Sequence, residues 1–304
     1  MKPILVITNP GAGGDPAELE RALDVLRAKS SVEVAETSNP GELDGVLHRA
    51  GSRTLVVAGG DGSLHAVVST LHRRRELGDH TLGLIPLGTG NDFARGTGLP
   101  LDPAEAAEAV LTGTPTPTDL LVDDAGNVVV NHVHLGVSAE AGRLGAGVKS
   151  VLGKVGLGRV GYPIGAVLSA INPRVLRLRV EVDGEVVNPP GQRVLMVSVG
   201  IGSDVGGGTT LTPDADPSDG RADVMVSRAV SRRAQLGYVV RLGRGEHTER
   251  HDVTTVRGSR VSVSGEKFWC SADGEIDGPV RRRTWHVEEG AYRLLRPRVS
   301  PTTS

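Results

Sequence analysis

The pentapeptide Gly59-Gly60-Asp61-Gly62-Ser63 sets three glycines around one carboxylate and one hydroxyl. Glycines at that density permit backbone angles closed to other residues and let successive N–H groups converge on an anion such as phosphate. Asp61 repels phosphate unless it holds a metal, polarises a hydroxyl or orders the loop through its own hydrogen bonds. The plain structural alternative is a tight turn whose Asp61 caps the helix that follows. Two more stretches have the same character: Asn9-Pro10-Gly11-Ala12-Gly13-Gly14, and Pro86-Leu87-Gly88-Thr89-Gly90-Asn91-Asp92-Phe93-Ala94-Arg95. Acidic groups recur in Asp216-Pro-Ser-Asp-Gly-Arg-Ala-Asp223 and in Asp273-Gly274-Glu275, the latter also a common hairpin pair.

The positioning elements follow from hydrophobic periodicity. Leu55-Val56-Val57-Ala58 reads as a buried strand, and Leu64, Val67, Val68 and Leu71 recur at helical spacing. Strand, glycine turn and helix in that order aim free backbone N–H groups at the turn. Ile4–Ile7, Val32–Ala35 and Leu82–Ile85 read as further strands. Asp15-Pro16-Ala17-Glu18 and Asp102-Pro103-Ala104-Glu105 carry the cap, proline and acid of helix starts, and Gly113 marks a stop. The spacing of Leu43, Val46, Leu47 and Ala50 predicts one more helix. Alternating strands and helices over residues 1–119 predict an open, mostly parallel α/β sheet. All three glycine turns follow strands, so they fall on the carboxyl edge where ligands bind in such sheets.

After Thr118 short β runs take over: Val128–Val130, Val175–Val182 with Asp183-Gly184 as a hairpin turn, Val194–Val199, Val224–Val226, Val253–Val256, Val261–Val263 and Phe268–Cys270. They predict a β-rich sandwich domain over 120–290, with Tyr292–Leu295 returning to the first domain in a segment 291–304 and a frayed tail at Ser300–Ser304. Arg143, Lys149, Lys154 and Arg159 dot a basic amphipathic segment between residues 143 and 172. It reads as a helix pair covering the β domain, or as a face for an anionic lipid surface. The triplets Arg73–Arg75 and Arg281–Arg283 read as solvated faces. His132 and His134 share one face of a strand and, lacking a third ligand nearby, read as structural and not zinc-binding.

Composition narrows the function. Aromatics are 2% of 304 residues, so the core is built from Val, Leu, Ile and Ala and base-stacking platforms are not expected. A net charge of -2 gives no electrostatic reason for nucleic-acid binding. Cys270 is the only cysteine, which excludes an intrachain disulfide. The first residues do not read as a signal peptide and no apolar run approaches a bilayer span. The expectation is a cytoplasmic protein that meets a membrane only at its surface.

The paired Gly-Gly-Asp-Gly at 59–62 and Gly-Thr-Gly-Asn-Asp at 88–92, with Asn9-Pro10-Gly11 on the same edge, resemble the catalytic family of diacylglycerol kinases, sphingosine kinases and their bacterial soluble lipid-kinase relatives. The resemblance runs nearly the whole chain. It includes Gly206-Gly-Gly208, Pro213-Asp-Ala215, Asp219-Gly220 with Asp223, and Asp273-Gly274-Glu275. A Gly-Gly-Asp-Gly alone would not carry it, since NAD kinases have a similar one.

What the resemblance implies is ATP- and Mg²⁺-dependent phosphorylation of a lipid hydroxyl, diacylglycerol foremost, in a cleft between an α/β domain and a β-sandwich domain. The nucleotide site would comprise Asn9, Pro10, Gly11, Thr37, Gly59, Gly60, Asp61, Gly62, Ser63, Thr89, Gly90, Asn91 and Asp92. Asp61, Asp92 and Asp119 are the acids available for the catalytic Mg²⁺. Glu275 matches the family's general base. The loop with Asp216, Asp219 and Arg221 would hold a structural Mg²⁺, Asp219 giving its carboxylate and the other two their carbonyls. That loop would dock the second domain against the first or against a second subunit, making a homodimer possible. Ser63 stands where the family usually has threonine, and His65-Ala66 where Asn-Glu often follows. His65 then reads as a substitute hydrogen-bonding group or as a surface helix histidine. The competing readings are an NAD-kinase-like enzyme for a soluble hydroxyl and a catalytically silent nucleotide- or lipid-binding regulator.

Overall fold

The computed structural model describes residues 2–12, 14–136 and 175–298. The basic segment at 143–172 and the tail at 300–304 lie outside the described residues. The first part of the chain runs β1 (Ile4–Thr8), α1 (Pro16–Arg27), β2 (Val32–Glu36), α2 (Pro40–His48), β3 (Thr54–Gly59), α3 (Asp61–Arg74), β4 (Thr81–Pro86), α4 (Asp92–Gly96), α5 (Pro103–Thr112) and β5 (Thr114–Asp123). The second part runs β6 (Val128–Val129), β7 (His132–Gly136), β8 (Leu176–Val182), β9 (Glu185–Asn188), β10 (Arg193–Val194), β11 (Met196–Gly200), β12 (Asp204–Val205), β13 (Thr209–Thr210), β14 (Ala222–Ser227), α6 (Arg232–Leu242), β15 (Val253–Gly258), β16 (Arg260–Ala272) and β17 (Glu275–Arg296).

β2, β1, β3 and β4 pair in parallel in that order. Strand side chains alternate between the two faces, and helices cover both. Leu5, Ile7, Leu55 and Val57 meet Leu43 and Leu47 of α2 and Leu64 and Val68 of α3 on one face. Ile4, Val6, Val56 and Ala58 meet Leu23 and Leu26 of α1 and Val110 of α5 on the other. Asp15 and Asp102 cap α1 and α5 through the backbone N–H groups of Ala17 and Ala104, each at 2.9 Å. Gly113 ends α5 without a left-handed angle. A Cβ there would lie 2.7 Å from the Arg296 carbonyl oxygen, so close approach to β17 demands the glycine.

The second part is a β sandwich whose core joins Val133, Leu178, Val180, Val199, Val224, Val263, Phe268 and Trp285. The isolated Phe268–Cys270 run expected from sequence is the end of a 13-residue strand, β16. The 22-residue β17 links both halves. Its beginning pairs antiparallel with β16, and Arg293 and Leu294 pair in parallel with Thr81 and Leu82 of β4. Charged Arg281–Arg283 and Glu288-Glu289 hide the middle of this strand from a periodicity reading. β5 runs without interruption through residues 119 and 120 and pairs with β17. α6 has no counterpart among the expected elements; Ser231 caps it and Tyr238 and Leu242 bury it against Met196 and Met225.

Candidate active site

Two glycine turns assemble the site by packing backbone on backbone. A Cβ on Gly88 would lie 2.5 Å from the Gly60 Cα, and one on Gly60 would lie 3.0 Å from the Gly88 Cα. Only glycine at both positions lets the turns after β3 and β4 touch. Asn91 closes the second turn in a left-handed conformation, φ 53°. Its Oδ1 accepts from the Gly88 N–H at 3.0 Å and its Nδ2 donates to the Gly88 carbonyl at 2.8 Å. In the first turn after β1, Asn9 Oδ1 accepts from the Gly11 N–H at 2.9 Å. Thr37, at the end of β2, is buried and donates its N–H to the Thr8 carbonyl.

A cavity of about 860 Å³ opens across these turns and runs between the two halves of the molecule. Of the expected nucleotide residues, Asn9, Thr37, Gly60, Gly62, Ser63 and Thr89 line it, and Glu275 faces it from the start of β17. Pro10, Gly11, Gly59, Asp61, Gly90, Asn91 and Asp92 belong to the turns but are not among the lining residues. Asp119 does not line the cavity either.

Asp61 corrects the simplest reading of its turn. The cap of α3 is Gly60, with no side-chain hydrogen bond, and the Asp61 carboxylate turns to α4 instead. It accepts from the N–H of Asp92 at 3.1 Å and of Phe93 at 3.0 Å. Asp92 in turn accepts from Gly207 and Gly208, at 2.9 and 2.7 Å, so the Gly206–Gly208 turn of the second domain is tied to the first. Burial raises the Asp92 carboxyl above its ordinary value, the charges of Asp61 and Asp204 add to that, and the two glycine N–H groups oppose it. A Cβ on Gly90 would sit 3.3 Å from one carboxylate and 3.4 Å from the other, so Asp61 and Asp92 flank the same glycine. Asp92 Oδ1 already accepts from both glycines, but each Asp61 oxygen accepts a single N–H. Two like charges beside one Cβ-free backbone, with lone pairs left on Asp61, are a fit for a hard divalent cation.

Asp119 belongs to a different neighbourhood. It is 1% exposed and accepts from Gly220 at 2.7 Å and Gly290 at 2.8 Å, tying β5 to the 216–223 loop. In that loop Asp216 accepts from the Ser218 N–H, and Asp219 accepts from the Arg221 N–H and is ion-paired with Arg257, which also holds Asp223. Arg257 already offsets the Asp219 charge. Among the described residues no three His, Cys, Asp or Glu side chains converge as a metal would need. The carbonyls of Asp216 and Arg221 would have to supply most of any cation site there.

Two sequence expectations are overturned. Arg283 is not part of a solvated face: it is 7% exposed, ion-paired with Asp123 and Asp277, and with them lines the cavity. Arg74 is half-buried between Asp44 and Glu76, while Arg73 and Arg75 are exposed. Nor is His65 a surface residue; its side chain is 15% exposed and bonded to Asp273 at 2.8 Å. Asp273 itself, in a left-handed turn with φ 47°, also accepts from the N–H groups of Val130, Asn131 and His132. Its signal was the Asp-Gly hairpin pair, which marks a turn without saying what the carboxylate reaches. Cys270 lines the cavity, but burial pushes its thiol up to about 12, which removes it as a nucleophile. His132 and His134 stack at 5.2 Å, and His132 pairs with Thr212.

A glycine-lined α/β edge facing a β sandwich across a cavity is the arrangement of a two-domain phosphotransferase. Residues 3–122 match the diacylglycerol kinase catalytic domain, and residues 131–296 match the YegS C-terminal NAD kinase β-sandwich-like domain. The chain belongs to this bacterial lipid-kinase family. It is 33% identical to a Stenotrophomonas maltophilia protein named "Probable lipid kinase YegS-like", over 98% of this chain and 96% of that one. It is 30% identical to a diacylglycerol kinase of Mycobacterium tuberculosis, over 97% and 95%. Its fold matches a crystal structure of a diacylglycerol kinase from Bacillus anthracis with a TM-score of 0.76 at 24% identity, covering 100% and 99% of the two chains. No helix among the described residues is long and apolar enough to cross a membrane.

Proposed function

We propose that the protein transfers the γ-phosphate of ATP, with Mg²⁺, to the hydroxyl of a lipid, diacylglycerol foremost. The observation that carries this reading is one cavity lined at once by Gly60, Gly62, Ser63 and Thr89 and by the Glu275 carboxylate. Phosphoryl transfer needs cradled phosphates, offset charge and an acceptor for the hydroxyl proton, all in line. Backbone N–H groups of the two turns, with the Ser63 and Thr89 hydroxyls and the Asn9 amide, would hold the phosphates. Glu275 would take the proton as the hydroxyl oxygen bonds to phosphorus and the bond to the departing ADP breaks. Asp61 and Asp92 would hold the Mg²⁺, and the ion would supply the charge offset that phosphoryl transfer needs. Asp119 and the 216–223 loop would keep the domains in register. Contact with the membrane would be peripheral.

The family name of several relatives supports the lipid acceptor. A soluble hydroxyl acceptor is the second reading. The Arg283–Asp123–Asp277 cluster favours it by putting charge on the cavity wall, where acyl chains would want apolar contacts. The test of the chemistry is Glu275→Gln. It is expected to leave folding and ATP affinity intact and to lower turnover by about 10²-fold or more. Wild-type turnover in that variant would remove Glu275 from the role of base.

A further inference from the structure

His65 stands one helical turn into α3, past the Gly60–Ser63 turn, and its two ring nitrogens have different surroundings. Nδ1 lies 2.8 Å from the Asp273 Oδ2. That carboxylate is 2% exposed and already accepts from three backbone N–H groups, Val130 at 2.6 Å and Asn131 and His132 at 3.0 Å. With backbone N–H groups donating to both of its oxygens, the Asp273 carboxylate is set as an acceptor. Nδ1 must therefore carry its proton toward Asp273, which fixes the ring and leaves Nε2 on the opposite edge. Nε2 has no partner among the described residues, and His65 lines the cavity beside Ser63 and Glu275.

The charged and titratable groups around the ring can be named element by element. From the turn between β16 and β17 comes Asp273, and from β17 comes Glu275. Asp61, on the same helix, turns its carboxylate away to α4. Behind Asp273 stand His134 of β7 and Tyr292 of β17, both kept neutral by burial. Burial of His65 disfavours its cation, but the hydrogen bond and charge of Asp273, with the charge of Glu275, outweigh it and raise its pKa above the ordinary histidine value. The other cations lining the cavity among the described residues are placed differently. Arg283 is locked by Asp123 and Asp277. Arg73 lies eight residues along α3, about 12 Å further from the glycine turn at 1.5 Å per residue. Among the described residues beside the phosphate-cradling turn, His65 is the side chain on the cavity wall that can bring positive charge.

We infer that His65 is a phosphate-facing cation of the nucleotide site, its Nε2–H donating to the phosphoryl group at the glycine turns while Asp273 positions the ring and supplies its counter-charge. This rests on the ATP reading above. The imidazolium keeps its proton throughout; the hydroxyl proton goes to Glu275. The cation would stand where the family usually carries an uncharged asparagine.

The test is the titration of the His65 imidazole by NMR, with and without a non-hydrolysable ATP analogue, its signal identified by loss in His65→Asn. Analogue affinity is measured against pH in both proteins alongside. The analogue is expected to raise the His65 titration midpoint. Wild-type affinity is expected to weaken by about tenfold as pH rises through that midpoint, the size of one hydrogen bond to a charged group. His65→Asn keeps a hydrogen bond to Asp273, so its melting temperature should stay near wild type while this pH-dependent component disappears. An analogue that binds without moving the midpoint would overturn the inference and leave the ATP reading standing. So would His65→Asn retaining the wild-type pH dependence. An analogue that fails to bind the wild type would take down both.

Discussion

The Asp61 carboxylate, in the first turn of α3, accepts from the Phe93 N–H of α4 at 3.0 Å. One side chain thus ties the turn after β3 to the turn after β4, and the N-terminus of α4 gains the anion its free N–H groups favour. We expect Asp61→Asn to weaken Mg²⁺-nucleotide binding and to cost about 1–2 kcal/mol of stability, since an amide offers one neutral acceptor where two charge-assisted ones stood. Calorimetric titration with MgATP and a denaturant melt check this. Wild-type nucleotide affinity in the variant would refute its place in the site.

The glycines of the two turns are not equivalent. Gly88→Ala forces a Cβ to 2.5 Å from the Gly60 Cα, and backbone must move. At Gly62 an added Cβ meets nothing within 4 Å. Gly88→Ala should lower the melting temperature clearly and abolish nucleotide binding, while Gly62→Ala should melt within a few degrees of wild type. Equal melting temperatures for the pair would contradict the packed-turn geometry.

Arg283 and Arg281 are two residues apart in β17 and should behave very differently. Arg283→Met leaves the buried Asp123 without its cation, a loss of about 3–5 kcal/mol for a broken buried pair. Arg281 is exposed, and Arg281→Ala should stay within about 0.5 kcal/mol of wild type. Urea melts of both variants read the difference directly.

Acid should destabilise the sandwich through β7. Burial holds the His134 imidazole down to about 4 and His132 well below its ordinary value. Both are neutral in the folded protein, whereas unfolded they titrate near 6.5. A depressed folded pKa contributes stability that is present above 6.5 and lost as pH falls toward 4. Melting temperature followed from pH 7 to 4 should fall in that window, and replacement of both histidines by apolar residues should flatten it. No difference between the two profiles would assign the acid sensitivity elsewhere.

The α/β layer and its carboxyl-edge turns were legible because Leu55–Ala58 and Leu64–Leu71 carry their periods in local sequence. The partnerships of the carboxylates were not. Asp273 reaches Val130–His132, Asp92 reaches Gly207 and Gly208, and Asp119 reaches Gly220 and Gly290, all contacts that only the folded chain brings together. Arg283 looked like surface because burial of a charge depends on distant partners, here Asp123 from β5. The end of β17 at Tyr292–Leu295 was legible but its middle was not, for the same reason: a strand paired on both sides needs no strict alternation when its charged members find acids to meet.

The most direct measurement is transfer of labelled γ-phosphate from ATP to diacylglycerol in mixed micelles, with and without Mg²⁺ and with NAD as a soluble acceptor. We expect Mg²⁺-dependent label on diacylglycerol and none on NAD. Label on NAD with the lipid unlabelled, or ATP bound with neither acceptor labelled, would contradict a diacylglycerol kinase.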